Sequence, residues 1–303
     1  MTSAPGREID VRAIAPDAFG AFEKVIASAR ASVDPELYAI VRARIATLLG
    51  IAGEAPADDR QRALPQWPDS PLFTERDRAC LAFAEQFVLD VSSVSAEQRA
   101  ALASALGAGA AAFAQTLYAI DFELRLRAAF GQLFGADPLA AHPAAAPRAL
   151  WPALEAMLPV IARRASLDPL TSELVRLRGA RIHSCRMCKS LRNVRAFTQG
   201  GGESTFDRID FYERSDLAEP HKVALRLTDA ILSQPAAFPA GLAAQVRTHY
   251  TPEQTVELVL DVARNGLNKF AVAMGVDGVG VGEGIGYYDT DERGDLVYGL
   301  SAP

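Results

Sequence analysis

An internal repeat constrains this chain more than any other feature. VDPELYAIVRARIATLLG (33–50) lies over LDPLTSELVRLRGARIHS (167–184) at a constant offset of 134 residues. Asp34/Asp168, Pro35/Pro169, Val41/Val175, Arg42/Arg176, Arg44/Arg178 and Ala46/Ala180 are identical pairs. Farther along the offset becomes 144, matching Glu75/Glu219, Leu81/Leu225, Ala119/Ala263, Ala129/Ala273 and Gly131/Gly275. The change of offset assigns ten extra residues to the second half, in TQGGGESTFDRIDFYERSDL. The chain thus reads as one unit written twice, over residues 1–146 and 147–303, with the proline-rich ADPLAAHPAAAPRAL as the linker.

The unit is helical. Phe19, Phe22, Val25 and Ile26 form one helical stripe, and Leu37, Ile40, Val41, Ile45 and Leu48 form the next. Asp34-Pro35 supplies an N-cap followed by proline at the first helical position. Further helices are predicted over 74–90, 95–106, 108–131, 148–163, 168–182, 185–198, 219–233, 239–249 and 252–274. Phe113, Tyr118, Phe122 and Phe130 read as core or interface aromatics. At the end, two apolar-aromatic runs flank Asp291-Glu292-Arg293-Gly294 and predict a small hairpin. The expected fold class is all-α, with that hairpin as its only β element.

Composition narrows the function. The net charge is -6 with no long basic run, which argues against nucleic acid and anionic membrane surfaces as partners. No uninterrupted apolar stretch reaches about 18 residues, the length of a membrane span. The N-terminal residues lack a signal-peptide pattern, and the three cysteines are no disulfide framework; a cytoplasmic protein is expected. Gly278-Val-Gly-Val-Gly-Glu-Gly284 lacks the G-K-[ST] ending of a phosphate loop and reads as a connection to the tail. The acidic tail residues Asp289, Asp291, Glu292 and Asp295 lack the ligand order of a calcium loop.

The dense chemical constellation is His183-Ser-Cys-Arg-Met-Cys-Lys-Ser-Leu-Arg192. Ser184 stands where an N-cap would, which places Cys185 and Cys188 in the first turn of a helix, on one face and within disulfide reach. A helix N-terminus and the nearby Arg186, Lys189 and Arg192 favour thiolate there. A closed zinc site would need four ligands, and there is neither a second C-x-x-C nor an H-x-x-x-H, so redox chemistry is favoured over a structural metal. Cys80 reads as a small buried hydrophobe. Glu173, twelve residues before Cys185, could accept a thiol proton or pair with Arg176 or Arg178, and its spacing favours the ion pair.

Glu173, eleven residues, Cys185-x-x-Cys188 and a polar residue four further on resemble the alkylhydroperoxidase D-like branch of the carboxymuconolactone decarboxylase family. Asn268-Lys-Phe-Ala-Val-Ala-Met-Gly275 is similar to that family's closing helix. The resemblance covers roughly 150–276 and implies an all-α fold. It further implies that Cys188 attacks a hydroperoxide, Cys185 resolves, and Glu173 starts a proton relay through Cys185. The family's histidine position holds Arg192, which stays protonated and cannot be a general base. His183 is the candidate substitute. A lipoyl-like or thioredoxin-like dithiol reductant and a homotrimer are implied, with no cofactor. In the first copy Glu173, Cys185, Cys188 and Arg192 become Ala39, Ile51, Glu54 and Asp58, so that copy reads as structural. The competing readings are a general disulfide oxidoreductase or redox sensor, and a non-catalytic assembly protein. A decarboxylase would leave the dithiol idle.

Overall fold

The computed structural model describes residues 9–52, 55–139, 149–278 and 284–303. Most of the linker run and of the Gly278–Gly284 run lies outside these residues. The fold is all-α with a small three-stranded sheet near the C-terminus. The first half holds α1 (Val11–Ile14), α2 (Pro16–Ser32), α3 (Pro35–Leu48), α4 (Asp59–Ala63), α5 (Glu75–Leu89), α6 (Ala96–Leu106) and α7 (Ala110–Phe134). The second holds α8 (Leu150–Ala162), α9 (Pro169–Ile182), α10 (Arg186–Lys189), α11 (Val194–Thr198), α12 (Glu203–Asp207), α13 (Glu219–Ser233), α14 (Leu242–His249), α15 (Pro252–Gly266) and α16 (Lys269–Met274). Strands β1 (Leu191–Asn193), β2 (Gly286–Thr290) and β3 (Leu296–Leu300) lie in that order, β1 parallel to β2 and β2 antiparallel to β3.

The two halves repeat local devices as well as helix order. Asp34 and Asp168 each accept the backbone N–H three residues on, at 3.0 and 2.9 Å, with proline at the next position. Arg44 on α3 pairs with Glu85 on α5 at 2.5 Å, and Arg178 on α9 pairs with Asp229 on α13 at 2.6 Å. The first pairs stand at the offset of 134 and their acids at 144. Even the third member is matched, because Trp67 donates to Glu85 at 2.7 Å and Tyr212 to Asp229 at 2.9 Å. The matched arginines thus tie neighbouring helices within each half.

One large apolar core draws on both halves, with α2 packed on α8 and α7 against α15 and α16. The predicted aromatics of α7 are buried in it, and the Tyr118 hydroxyl donates to the Ala263 carbonyl at 2.9 Å. The helices approach so closely at Gly266 that a Cβ there would meet the Phe122 ring at 2.1 Å. Beside this crossing Asp121 receives Arg125 at 2.7 Å and Lys269 at 2.6 Å, all three buried. Arg125 also donates to the Ile231 and Leu232 carbonyls. Burial acts to raise the Asp121 pKa, but the two cations prevail and hold it below its ordinary value, whereas burial pushes Lys269 down to about 8. The run Ala96–Phe134 is long and apolar enough to cross a membrane by length and composition. It is broken at Gly107–Gly109, and α7 buries Asp121, Glu123 and Arg125 in the core.

The second half departs from expectation at two helices. The predicted helix over 185–198 is instead α10, β1 and α11, and the one over 252–274 breaks between α15 and α16. In the first case the segment after Ser190 extends to pair with β2, the Gly286 N–H donating to the Ser190 carbonyl at 2.8 Å. The hairpin forms as predicted, its turn held by Asp291 accepting the N–H groups of Arg293 and Asp295 at 2.9 Å each. Gly294 takes φ +88°, and a Cβ there would lie 2.2 Å from the Pro159 carbonyl of α8. The hairpin is therefore seated on the second-half helices and joined through β1 to the chain just beyond the dithiol.

Candidate active site

Helix α9 ends at Ile182, and Ser184 takes φ +52° as the chain turns out of it. The Cys185 N–H reaches back to the Ala180 carbonyl at 3.0 Å. Ser184 is thus spent in the turn, and Cys185, not Ser184, is the N-cap of α10: its Sγ accepts the Cys188 N–H at 3.2 Å. The two cysteines form a disulfide with Cα atoms 5.3 Å apart. Cys185 is 1% exposed and Cys188 6%, and Cys188 is the one that borders an open cleft. Cys80 is free and buried, its thiol pushed up to about 12 by burial.

Beneath the dithiol lies a closed polar network. Glu173 is paired to Arg176 through both carboxylate oxygens, at 2.6 and 2.7 Å, as its spacing suggests. It also accepts the Asn193 N–H and the Tyr288 hydroxyl, each at 3.1 Å. Arg176 also donates to the Cys188 carbonyl at 2.8 Å and the Leu191 carbonyl at 2.6 Å, with its guanidinium 5.3 Å from the Tyr288 ring centroid. Burial acts to lower the Arg176 pKa, but the Glu173 charge outweighs it and holds it above its ordinary value. Burial, reinforced by Glu173, raises the Tyr288 pKa, so this phenol keeps its proton. Arg176 fixes the backbone within α10 and just after it, and Glu173 fixes Arg176.

Two of the expected site residues turn away from the cleft. Because α10 ends at Lys189, Arg192 lies on β1 and not four residues along a helix from Cys188. It pairs with Glu203 at 2.9 Å, stacks 5.4 Å from the Phe206 ring centroid and donates to the Lys189 and Leu191 carbonyls. This anchors the insert in the second half. His183 caps α9 and is buried near Lys269 and Arg125. Burial, then those two cations, push its pKa well below the ordinary value, so it is neutral. Neither borders the cleft at Cys188.

That cleft is bordered by Cys188, Met187, Ala180 and Leu191, by Arg176, by Arg264, Asn265 and Asn268 of α15 and its C-terminal end, and by Tyr288, Leu296 and Tyr298 of the hairpin. A second hollow shares Tyr288 and Arg264 with the first and is also lined by Glu257, Asp261, Ser172, Arg164 and Arg195. Burial pushes Asp261 up to about 6, with Arg264 opposing and Glu257 reinforcing the shift. Among the described residues no group of three His, Cys, Asp or Glu side chains could hold a metal ion.

Sequence reasoning missed Arg264, Asn265, Tyr288, Leu296 and Tyr298 as cleft residues. A signal was present for the first two: Glu257, Asp261, Arg264, Asn265 and Asn268 make a polar stripe at helical spacing along a mostly buried helix. The hairpin residues carried none, since only the tertiary fold brings them over Cys188.

No family model matches the chain, and no solved structure matches it significantly. It is 37% identical over 242 residues to two uncharacterized proteins of Mycobacterium tuberculosis, covering 77% of this chain and 83% of each of theirs. It is 30% identical over 116 residues to the uncharacterized protein YdfG of Bacillus subtilis, covering 37% of this chain and 79% of YdfG. The chain belongs to one family with these mycobacterial proteins and YdfG.

Proposed function

We propose that this protein reduces organic hydroperoxides with the Cys185–Cys188 dithiol, as an alkylhydroperoxidase D-like enzyme of the cytoplasm. The observation that carries the reading is the placement of the two sulfurs. Cys188 borders an open cleft, and Cys185 is buried behind it within bonding distance. In the reduced enzyme the Cys188 thiolate attacks the terminal peroxide oxygen; an S–O bond forms, the O–O bond breaks, and the alkoxide leaves as alcohol on taking a proton. Water in the open cleft supplies that proton, because the Tyr288 hydroxyl donates its own to Glu173 and holds it. Cys185 then attacks the Cys188 sulfenic acid, forming the disulfide and releasing water. A lipoyl-like or thioredoxin-like dithiol returns two electrons by exchange.

Glu173 is held by both Arg176 and Tyr288, so it supports the dithiol by fixing Arg176, which donates to the Cys188 carbonyl. Arg192 is a structural anchor in this reading. The fused units assemble further into a homotrimer. A second reading, disulfide exchange without peroxide, draws on one observation: among the described residues no histidine borders the cleft. Steady-state consumption of cumene hydroperoxide with dihydrolipoamide as reductant tests the proposal. Turnover is expected in wild type and absent in Cys188→Ser. Unchanged turnover in Cys188→Ser would overturn the proposal, and dihydrolipoamide oxidation by an added disulfide with no peroxide consumption would favour the second reading.

A further inference from the structure

We propose that the cleft at Cys188 selects a ligand with a carboxylate on a compact apolar body, Arg264 being the anchor for the carboxylate. The proposal rests on the hydroperoxidase reading only in naming that ligand as the substrate. Its basis is the unspent hydrogen-bonding capacity of one cleft wall. Arg264 has a side chain only 16% exposed, makes no hydrogen bond through its guanidinium to any described residue, and stands 3.8 Å from its acid, Asp261. Arg176, the other guanidinium in the lining, is paired through two bonds with Glu173 and donates to two carbonyls. The charge available to an incoming anion is therefore that of Arg264.

The neighbours of Arg264 support the same chemistry. Asn265 and Asn268, also half-buried on the cleft wall, have side-chain amides with no hydrogen-bond partner among the described residues. All three border the same cleft, and a guanidinium fork with two amides is a donor set suited to a carboxylate. Met187, Leu191 and Leu296 add apolar surface to the same lining, which also includes Cys188. At the equivalent positions of the first copy stand Ile120, Asp121 and Leu124, of which Asp121 is consumed by Arg125 and Lys269. The polar wall belongs to the copy that holds the dithiol.

The test uses the oxidised full-length protein and a pair of unreactive probes, 4-isopropylbenzoate and neutral 4-isopropylbenzamide, titrated calorimetrically. Wild type is expected to bind the acid about tenfold or more tightly than the amide, the scale of one good charge-assisted contact. Arg264→Gln should abolish that preference while retaining the amide, Arg264→Lys should keep part of it, and Asp261→Asn should strengthen acid binding by removing the competing carboxylate. Equal binding of the two probes to wild type, or a preference that survives Arg264→Gln, would overturn the proposal. Kinetics with cumene hydroperoxide and its 4-carboxy derivative form the second arm. Arg264→Gln should raise KM for the carboxylated peroxide alone. If the acid binds through Arg264 but neither peroxide is consumed, carboxylate recognition stands and the hydroperoxidase reading falls. If both are consumed with equal KM in wild type, selection of a carboxylated substrate falls and the hydroperoxidase reading stands.

Discussion

The two halves keep the same frame and differ on one face. Arg44–Glu85 with Trp67 and Arg178–Asp229 with Tyr212 show that the ties between helices are held in both. The contrast lies along α7 and α15. Where α15 and the residue two beyond its end have Glu257, Asp261, Arg264, Asn265 and Asn268, α7 has Phe113, Leu117, Ile120, Asp121 and Leu124. One helix seals a core and the other borders two hollows. A fused pair can diverge in this way because its two copies need not obey one symmetric solution. Phe122 packs on Gly266, and Arg125 and Lys269, equivalent by position, share the single carboxylate of Asp121.

The largest effect expected from breaking this division of labour is on chemistry. Cys188→Ser should reduce peroxide turnover to background, while Cys80→Ser in the first half should leave it within about twofold, as for a residue remote from the reacting atoms. Next in size is the junction that both halves share. Asp121→Ala strands the buried Arg125 and Lys269 and should cost about 3–5 kcal/mol in denaturant melts. The loss should affect both halves together, and a melt in which only one half unfolds earlier would break the picture of a common core. Gly294→Ala places a Cβ against the Pro159 carbonyl and should cost on the order of 1–3 kcal/mol of hairpin seating. Its readout is faster proteolysis of the tail with the far-UV spectrum otherwise kept.

The remaining effect is pH-dependent. Asp261 titrates at about 6 in the fold against an ordinary 3.8, so between these values the folded chain holds a proton that the unfolded chain has released. Stability from this group therefore falls as pH rises from about 4 to 6. Asp261→Asn should stabilise the protein by about 3 kcal/mol above pH 6 and leave it unchanged near pH 4. A constant difference across that range would show that the burial cost on this wall is not electrostatic.

Much of the frame was legible because it is local. Helices predicted over 74–90 and 168–182 are observed as Glu75–Leu89 and Pro169–Ile182, and the Asp-Pro starts cap as their chemistry dictates. The dithiol and its glutamate were legible as a spacing. What the spacing could not convey was the break after Lys189: the extended pairing of Leu191–Asn193 with β2 depends on residues nearly a hundred positions away. That break turns Arg192 to Glu203 and brings Tyr288 to Glu173, exchanging one expected neighbour of the dithiol for another. Ser184 was misplaced as the cap for a similar reason, since its positive φ is set by the way α9 closes on Cys185.

A thiol count on the fully reduced protein, before and after one equivalent of cumene hydroperoxide, tests the redox assignment most directly. The account predicts that wild type loses two thiols per chain for each peroxide consumed. Cys185→Ser should instead stop at a sulfenic acid on Cys188 that dimedone traps, and Cys188→Ser should lose none. A wild-type protein whose three thiols all survive the peroxide would contradict it.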